Sequence, residues 1–212
     1  MRNYFKYISY LIAAVTISCA HANPQEDLWV AVNRDDAGAV SRLVRSGSDP
    51  NALDNRGRTM LGYALLNESH KAAEALLAAP QLDINKLNPN GESALMIAAL
   101  RGRLDWVQRL VAKGAKINHD GWSALHYAAT GPNPEVVDWL IGKGAFIDGR
   151  SPNGTTPLMM AARYGAEANV DRLLAAKAEI RASNEHGLTA VDFAKAGGRE
   201  SLAARLEKLM PR

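Results

Sequence analysis

The residues able to do acid–base, metal or nucleophilic chemistry are few and scattered. Past residue 22 the chain holds four histidines, His70, His119, His126 and His186. No Asp/Glu/His spacing of the metal-site kind joins them, so no zinc site is expected. Asp35-Asp36 offers two adjacent carboxylates, but the pair reads as a turn between helices and not as an acid/base couple. Gly142-Lys143-Gly144 resembles a phosphate loop only superficially. It falls at the expected end of a helix, where dipole and donors are wrong for an anion. No G-x-S-x-G, H-E-x-x-H or G-x-x-x-x-G-K-[ST] motif occurs. Cys19 is the only cysteine. Neither catalysis nor a cofactor or metal is expected of this chain.

Cys19 lies in a segment, residues 1–22, that reads as an export signal. Arg2 and Lys6 supply its positive start, Tyr7 to Ser18 its apolar stretch, and Ala20-His21-Ala22 a small-x-small cleavage site ending at Ala22. A dozen residues are too few to span a bilayer comfortably, which takes about 20. The expected location is therefore the periplasm or the secreted fraction, with residues 23–212 as the mature part. Lipid attachment at Cys19 is the alternative, against which Thr16 stands where such signals carry Leu. Elsewhere no run reaches the ~18 apolar residues of a spanning helix. Formal charge is +3, from 25 basic and 22 acidic residues. Removing Arg2 and Lys6 lowers it to about +1, without the strong basic excess of a nucleic-acid binder. The mature part would hold no thiol, so its core alone must stabilise it.

The elements that position everything else come from an internal repeat. Apolar lead residues Leu28, Leu61, Leu95, Leu125, Leu158 and Val191 are spaced 33, 34, 30, 33 and 33 apart. Four residues before the last five stand Gly57, Gly91, Gly121, Gly154 and Gly187, suited to a turn with positive φ. Two residues before them stand Thr59, Ser93, Ser123, Thr156 and Thr189, natural helix N-caps. Three residues after all six stands an alanine, small enough for close helix approach. A second helix repeats as Val40-x-x-Leu43-Val44, Val107-x-x-Leu110-Val111, Val137-x-x-Leu140-Ile141 and Val170-x-x-Leu173-Leu174, and Gly47, Gly114 and Gly144 would close it. Turn, helix, turn, helix is the unit. One unit cannot bury its apolar side alone, so units must stack.

The segments SALHYAA (Ser123–Ala129), TTPLMMAARYG (Thr155–Gly165), GKGAFID (Gly142–Asp148), SGSDPNA (Ser46–Ala52) and KGAKIN (Lys113–Asn118) resemble the ankyrin repeat. The resemblance covers about residues 26–210. It implies an all-α solenoid of about six helix-turn-helix repeats with short β-turn fingers, near 26–52, 53–86, 87–118, 119–149, 150–182 and 183–210. His126 holds the family's histidine position, where that residue braces the turn by hydrogen bonds. The first unit lacks the glycine and hydroxyl cap, and the last ends in a charged helix, as terminal units of a stack do. The stretch from Asn118 to Leu125 is three residues short, so a stubbier finger is expected between units three and four. Trp29, Trp106 and Trp139 are expected to pack between units, and His70, at the start of a second helix, to be solvated.

Ankyrin stacks as a rule bind proteins, on a concave face made by finger tips and first-helix ends. Carried over to this sequence, that face holds Arg34, Asn55, Arg56, Arg58, Leu66, Asn90, Leu100, Arg101, Trp122, Asn153, Arg163 and Tyr164. Arg, Trp and Tyr are types enriched in interface hot spots. The expected partner is a protein with an acidic patch around an apolar anchor point, bound by a monomer. The resemblance to small exported bacterial ankyrin proteins implies help or protection for a periplasmic enzyme, of an oxidative-stress kind. A toxin neutralised by an immunity protein, or a host protein bound by a secreted effector, are the alternatives.

Overall fold

The lead residues Leu28, Leu61, Leu95, Leu125, Leu158 and Val191 are all buried, as are the alanines three positions on. The computed structural model describes residues 23–210. The export segment, with Cys19 and Ala22, lies outside the described residues. Twelve helices among the described residues form six antiparallel pairs. They are α1 (Pro24–Asn33) with α2 (Ala37–Arg45), α3 (Met60–Leu66) with α4 (His70–Leu77), and α5 (Ala94–Leu100) with α6 (Leu104–Ala112). Then come α7 (Ala124–Thr130) with α8 (Pro134–Gly142), α9 (Pro157–Tyr164) with α10 (Glu167–Ala175), and α11 (Ala190–Ala196) with α12 (Glu200–Leu209). The odd-numbered helices pack in unbroken succession, and α2 packs on α4, α6 on α8 and α8 on α10, so the pairs stack as a helical solenoid. The core runs unbroken through them.

At seven or eight residues, the inner helices α3, α5, α7, α9 and α11 are too short to persist alone, so caps and packing must hold them. Each starts at the expected hydroxyl: Thr59, Ser93, Ser123, Thr156 and Thr189 are the N-caps of α3, α5, α7, α9 and α11. What answers the cap differs by unit. In α7 the Ser123 amide donates to His126 Nδ1 at 3.2 Å. In α5 and α9 the thioether sulfurs of Met96 and Met159 take that place, each at 3.4 Å, and in α11 Asp192 Oδ2 does so at 2.8 Å. The outer helices end where Gly114 (φ 93°) takes a left-handed conformation that costs glycine nothing; in the fifth unit Lys177 (φ 66°) accepts the strain instead.

Between fingers and helices, side-chain amides tie the first four units to one another. Asn51 Oδ1 accepts from the Asp83 amide and its Nδ2 donates to Gln81 O. Asn85 does the same with the Lys116 amide and Gly114 O, and Asn118 with the Phe146 amide and Gly144 O. Gln25 makes the matching pair of bonds within the first unit, donating to the Asp49 carbonyl and accepting from the Asp49 amide. The C-terminal ends of α7 and α9 are held differently. Asn169 Nδ2 donates to the carbonyls of Ala128, Ala129 and Gly131, and Arg199 to those of Ala161, Ala162 and Gly165. These satisfy acceptors that a helix end leaves unpaired.

Candidate protein-binding face

Inner-helix positions two and five beyond each lead residue lie three apart and so share one side of the helix. The first row reads Val30, Tyr63, Ile97, Tyr127, Met160 and Phe193; the second Asn33, Leu66, Leu100, Thr130, Arg163 and Ala196. Val30 is 45% exposed and Leu66 40%, and most of the first row is half-buried. An aromatic and aliphatic stripe thus runs along the stack beneath the fingers. The sequence reading missed the first row. Its signal was the register, two beyond the lead, but a Tyr, Ile or Met there looks like more core until the units stack.

Three fingers are built alike. Asp54 Oδ1 accepts from the amides of Arg56 and Arg58, Asn88 Oδ1 from those of Asn90 and Glu92, and Asn184 Oδ1 from those of His186 and Leu188. The short connection from Asn118 to Ser123 carries none of these bonds among the described residues, and Trp122 stands at its base.

The five arginines named for this face are not equivalent. Arg58 is tied to Asp54 by contacts of 2.6 and 2.7 Å, and its guanidinium lies 4.2 Å from the centre of the Tyr63 ring. Burial works to raise the Asp54 carboxyl, but the bonds from Arg58 and the two finger amides outweigh it and hold the group below its ordinary value. Arg101 pairs with Glu68 across units. Arg163 lies over its neighbour's ring, Tyr164, at 5.0 Å. Arg34, Arg56 and Arg163 have no carboxylate within ion-pair distance among the described residues.

Two depressions gather these residues. An open groove of about 890 Å³ at the N-terminal end brings Arg34, Asn55 and Arg58 against Trp29, Val30 and Tyr63. A smaller pocket of about 210 Å³ brings Leu100 and Trp122 together with Tyr127, Thr130 and Met160. Arg56, Leu66, Asn90, Arg101, Asn153, Arg163 and Tyr164 line neither. Asn153 is half committed to its finger, accepting from Ser151 Oγ at 2.6 Å, while Tyr164 is 55% exposed.

The titratable groups near the pocket are held in fixed forms. His126 is buried; burial lowers its pKa, more than its bonds to the backbone of Thr155 and Gly149 raise it. Nδ1 faces Ser123, so the proton sits on Nε2, which donates to Thr155 O at 3.0 Å. Tyr127 donates to Glu92 at 2.8 Å, and burial with that carboxylate pushes its pKa well above the usual phenol value. Both are braces. His70 is not solvated as expected: the Trp106 side chain of α6 reaches it, the two rings stack at 5.9 Å, and the indole N–H points at Nδ1 from 3.1 Å. Trp29 meets Tyr63 of the next unit edge-on at 5.6 Å. Asp36 caps α2 and Asp35 accepts from the Ala72 amide, so the pair is a helix-joining turn. The described residues hold no group of three or more His, Cys, Asp or Glu placed to hold a metal. No described helix is long and apolar enough to cross a membrane.

The sequence matches the family described as Ankyrin repeats (3 copies) over residues 28–120 and 80–151, and Ankyrin repeats (many copies) over 145–194. It is 29% identical to Protein glp-1 of Caenorhabditis elegans over 95% of this chain, and 35% identical to Neurogenic locus notch homolog protein 1 of Xenopus tropicalis over 58% of it. The chain spans only 17% and 5% of the lengths of those relatives. Among solved structures, a chain of the complex titled Bd0816 Predatory Endopeptidase from Bdellovibrio bacteriovorus in complex with immunity protein Bd3460 superposes with a TM-score of 0.70. Identity there is 28%, covering 87% of this chain and 98% of that one. With its six stacked helix pairs and its hydroxyl-capped inner helices, this chain belongs to the ankyrin-repeat family.

Proposed function

We propose that this chain is a non-catalytic binding module of the periplasm that grips a folded, exported enzyme along its inner-helix face and blocks it, as an immunity protein does. The observation that carries the binding reading is the half-exposed stripe from Val30 to Met160, which spans five units and has arginines along its length. Apolar surface of this extent beside Arg and aromatic side chains is what an interface uses for hot spots. The choice of an enzyme as partner is supported by the likeness to a chain from an endopeptidase–immunity protein complex over nearly that chain's whole length. The periplasm is supported by the composition of residues 1–22.

The test is to purify the chain from the periplasm, capture what binds it, and assay the captured protein. The expected result is an exported hydrolase whose activity falls on titration with the chain, and whose capture is lost with Arg34→Glu/Arg56→Glu. Capture that survives that double substitution as well as Val30→Glu would place binding elsewhere and overturn the face. A captured enzyme whose activity is preserved or prolonged would turn the reading to assistance.

A further inference from the structure

We propose that the pocket between Leu100, Trp122, Tyr127, Thr130 and Met160 is the anchor socket of this face, and that it takes one large apolar side chain from an acidic segment of the partner protein. The inference rests on the reading of the face as a protein-binding surface and names what its middle recognises.

The socket lies between the third, fourth and fifth units, midway along the stack. Its volume of about 210 Å³ suits a phenyl ring or a branched aliphatic side chain, since an apolar cavity of ~150 Å³ holds benzene. It opens here because of two departures from the repeat. The finger is three residues short, and the residue three before the lead is Trp122. In the second unit that position is Arg58, which covers Tyr63 at 4.2 Å. In the fourth, Trp122 stands edge-on to Tyr127, at 6.4 Å and 86°, and leaves the matching space free.

The lining favours an apolar occupant. The protons of its two hydroxyls are committed within the chain: Tyr127 donates to Glu92, and Thr130 Oγ1 donates to the carbonyl of His126 at 3.0 Å. A polar group entering the socket would lose water and meet only the lone pairs of those hydroxyls and the Trp122 indole N–H. The walls are also fixed before binding. Trp122 is braced edge-on by His126 at 5.3 Å, and His126 by Ser123 and Thr155. Little ordering entropy is left to oppose association.

Charge decides the flanks of the occupant. Arg163 follows Met160 by one helical turn on α9, and its only described partner is the Tyr164 ring. Arg101, next to Leu100, already has Glu68. A carboxylate beside the inserted side chain would give Arg163 the planar, two-oxygen partner its guanidinium fits. The occupant is therefore a Leu, Met or Phe with Asp or Glu next to it in sequence.

The probe is a phage-displayed library of random linear peptides, panned on the full chain. Enriched peptides are expected to carry one large apolar residue beside an acidic one. Their affinity should fall at least about tenfold with Met160→Glu and with Leu100→Glu, as for a hot-spot contact, and less with Arg163→Ser. Both apolar positions are partly exposed, and unchanged circular dichroism of each variant would exclude misfolding. Peptides lacking an apolar residue, or affinities unmoved by both Glu variants, would overturn the socket. So would an empty enrichment, or concentration-dependent dimers abolished by Met160→Glu, which would make the occupant a second copy. If peptides or the captured enzyme respond to Val30→Glu but not Met160→Glu, the face stands and the socket alone fails.

Discussion

Gly165 and Ala129 approach so closely that a Cβ built on Gly165 would stand 2.0 Å from the Ala129 carbonyl oxygen. Gly165 has φ −83° and ψ 172°, extended backbone open to any residue. Glycine is required there by space alone. It ends α9 while α9 packs on α7, and the same crowding recurs at Gly131 against Leu100 O and at Gly197 against Arg163 O.

Gly165→Ala should therefore destabilise the stack by about 2–3 kcal/mol or more, because the neighbour is backbone and cannot rotate away. Gly142→Ala is the matched control. A Cβ there meets nothing within 4 Å, and the residue is the last of α8. That change should be neutral or stabilising by about 0.5–1 kcal/mol. Urea unfolding of the two variants checks this. Equal midpoints would show that α7 and α9 are not in such contact.

His126 should make stability depend on pH. Burial holds its folded pKa below the ordinary value near 6.5, so in the unfolded chain it protonates first as pH falls. The unfolded state then binds more protons, and unfolding free energy rises with pH. The contribution is fully present above the unfolded pKa and is lost as pH falls through and below it. His126→Met keeps an acceptor for the Ser123 amide, as Met96 and Met159 do for Ser93 and Thr156. It removes the donor to Thr155 O, at a cost of about 1–3 kcal/mol near neutrality. Between about pH 8 and about pH 5 the variant should lose stability less steeply than the parent. Parallel pH profiles would assign the slope to other groups.

The fold was legible because burial fixes the residues that recur. A lead leucine, an alanine three on and a hydroxyl two before must stay in register for inner helices to stack, and they do from Leu61 to Leu158. The face was less legible because its chemistry depends on neighbours in the next unit. Arg58 reads as a free surface cation until the finger curls and brings Asp54 to it. Tyr127 reads as core until its hydroxyl is seen reaching back to Glu92 in the preceding finger. Asn51, Asn85 and Asn118 recur visibly, yet an asparagine in a turn signals only the turn; the carbonyl each one meets belongs to another repeat.

Those pairings also rank the arginines as binding residues. Arg58→Glu would bring a second carboxylate beside Asp54 and uncover Tyr63, so its effect on a partner would include a damaged finger. Arg56→Glu and Arg34→Glu change charge without breaking a described ion pair. Each should leave the unfolding free energy within the range of surface changes, about ±0.5 kcal/mol, and slow association with an acidic partner, more so at low salt. Association rates by surface plasmon resonance at two ionic strengths decide it. Rates insensitive to both charge and salt would remove the acidic-patch partner.

Asn118 tests how strongly the units are coupled. Its side chain donates to Gly144 O and accepts from the Phe146 amide, both at 2.9 Å, and so joins the third unit to the fourth at the short connection. Asn118→Ala strips both bonds. The site is partly open to water, which can satisfy the orphaned groups, so the cost belongs at the low end for such a loss, about 1 kcal/mol. In a linear array stability is a sum of unit and junction terms, and a weakened junction lets the two sides open separately. Hydrogen exchange should then report distinct opening free energies for α1–α6 and α7–α12, and one graded profile for the parent protein. Uniform loss of protection across all twelve helices would mean that the buried contacts between α5 and α7, and not the asparagine ladder, carry the coupling at this junction.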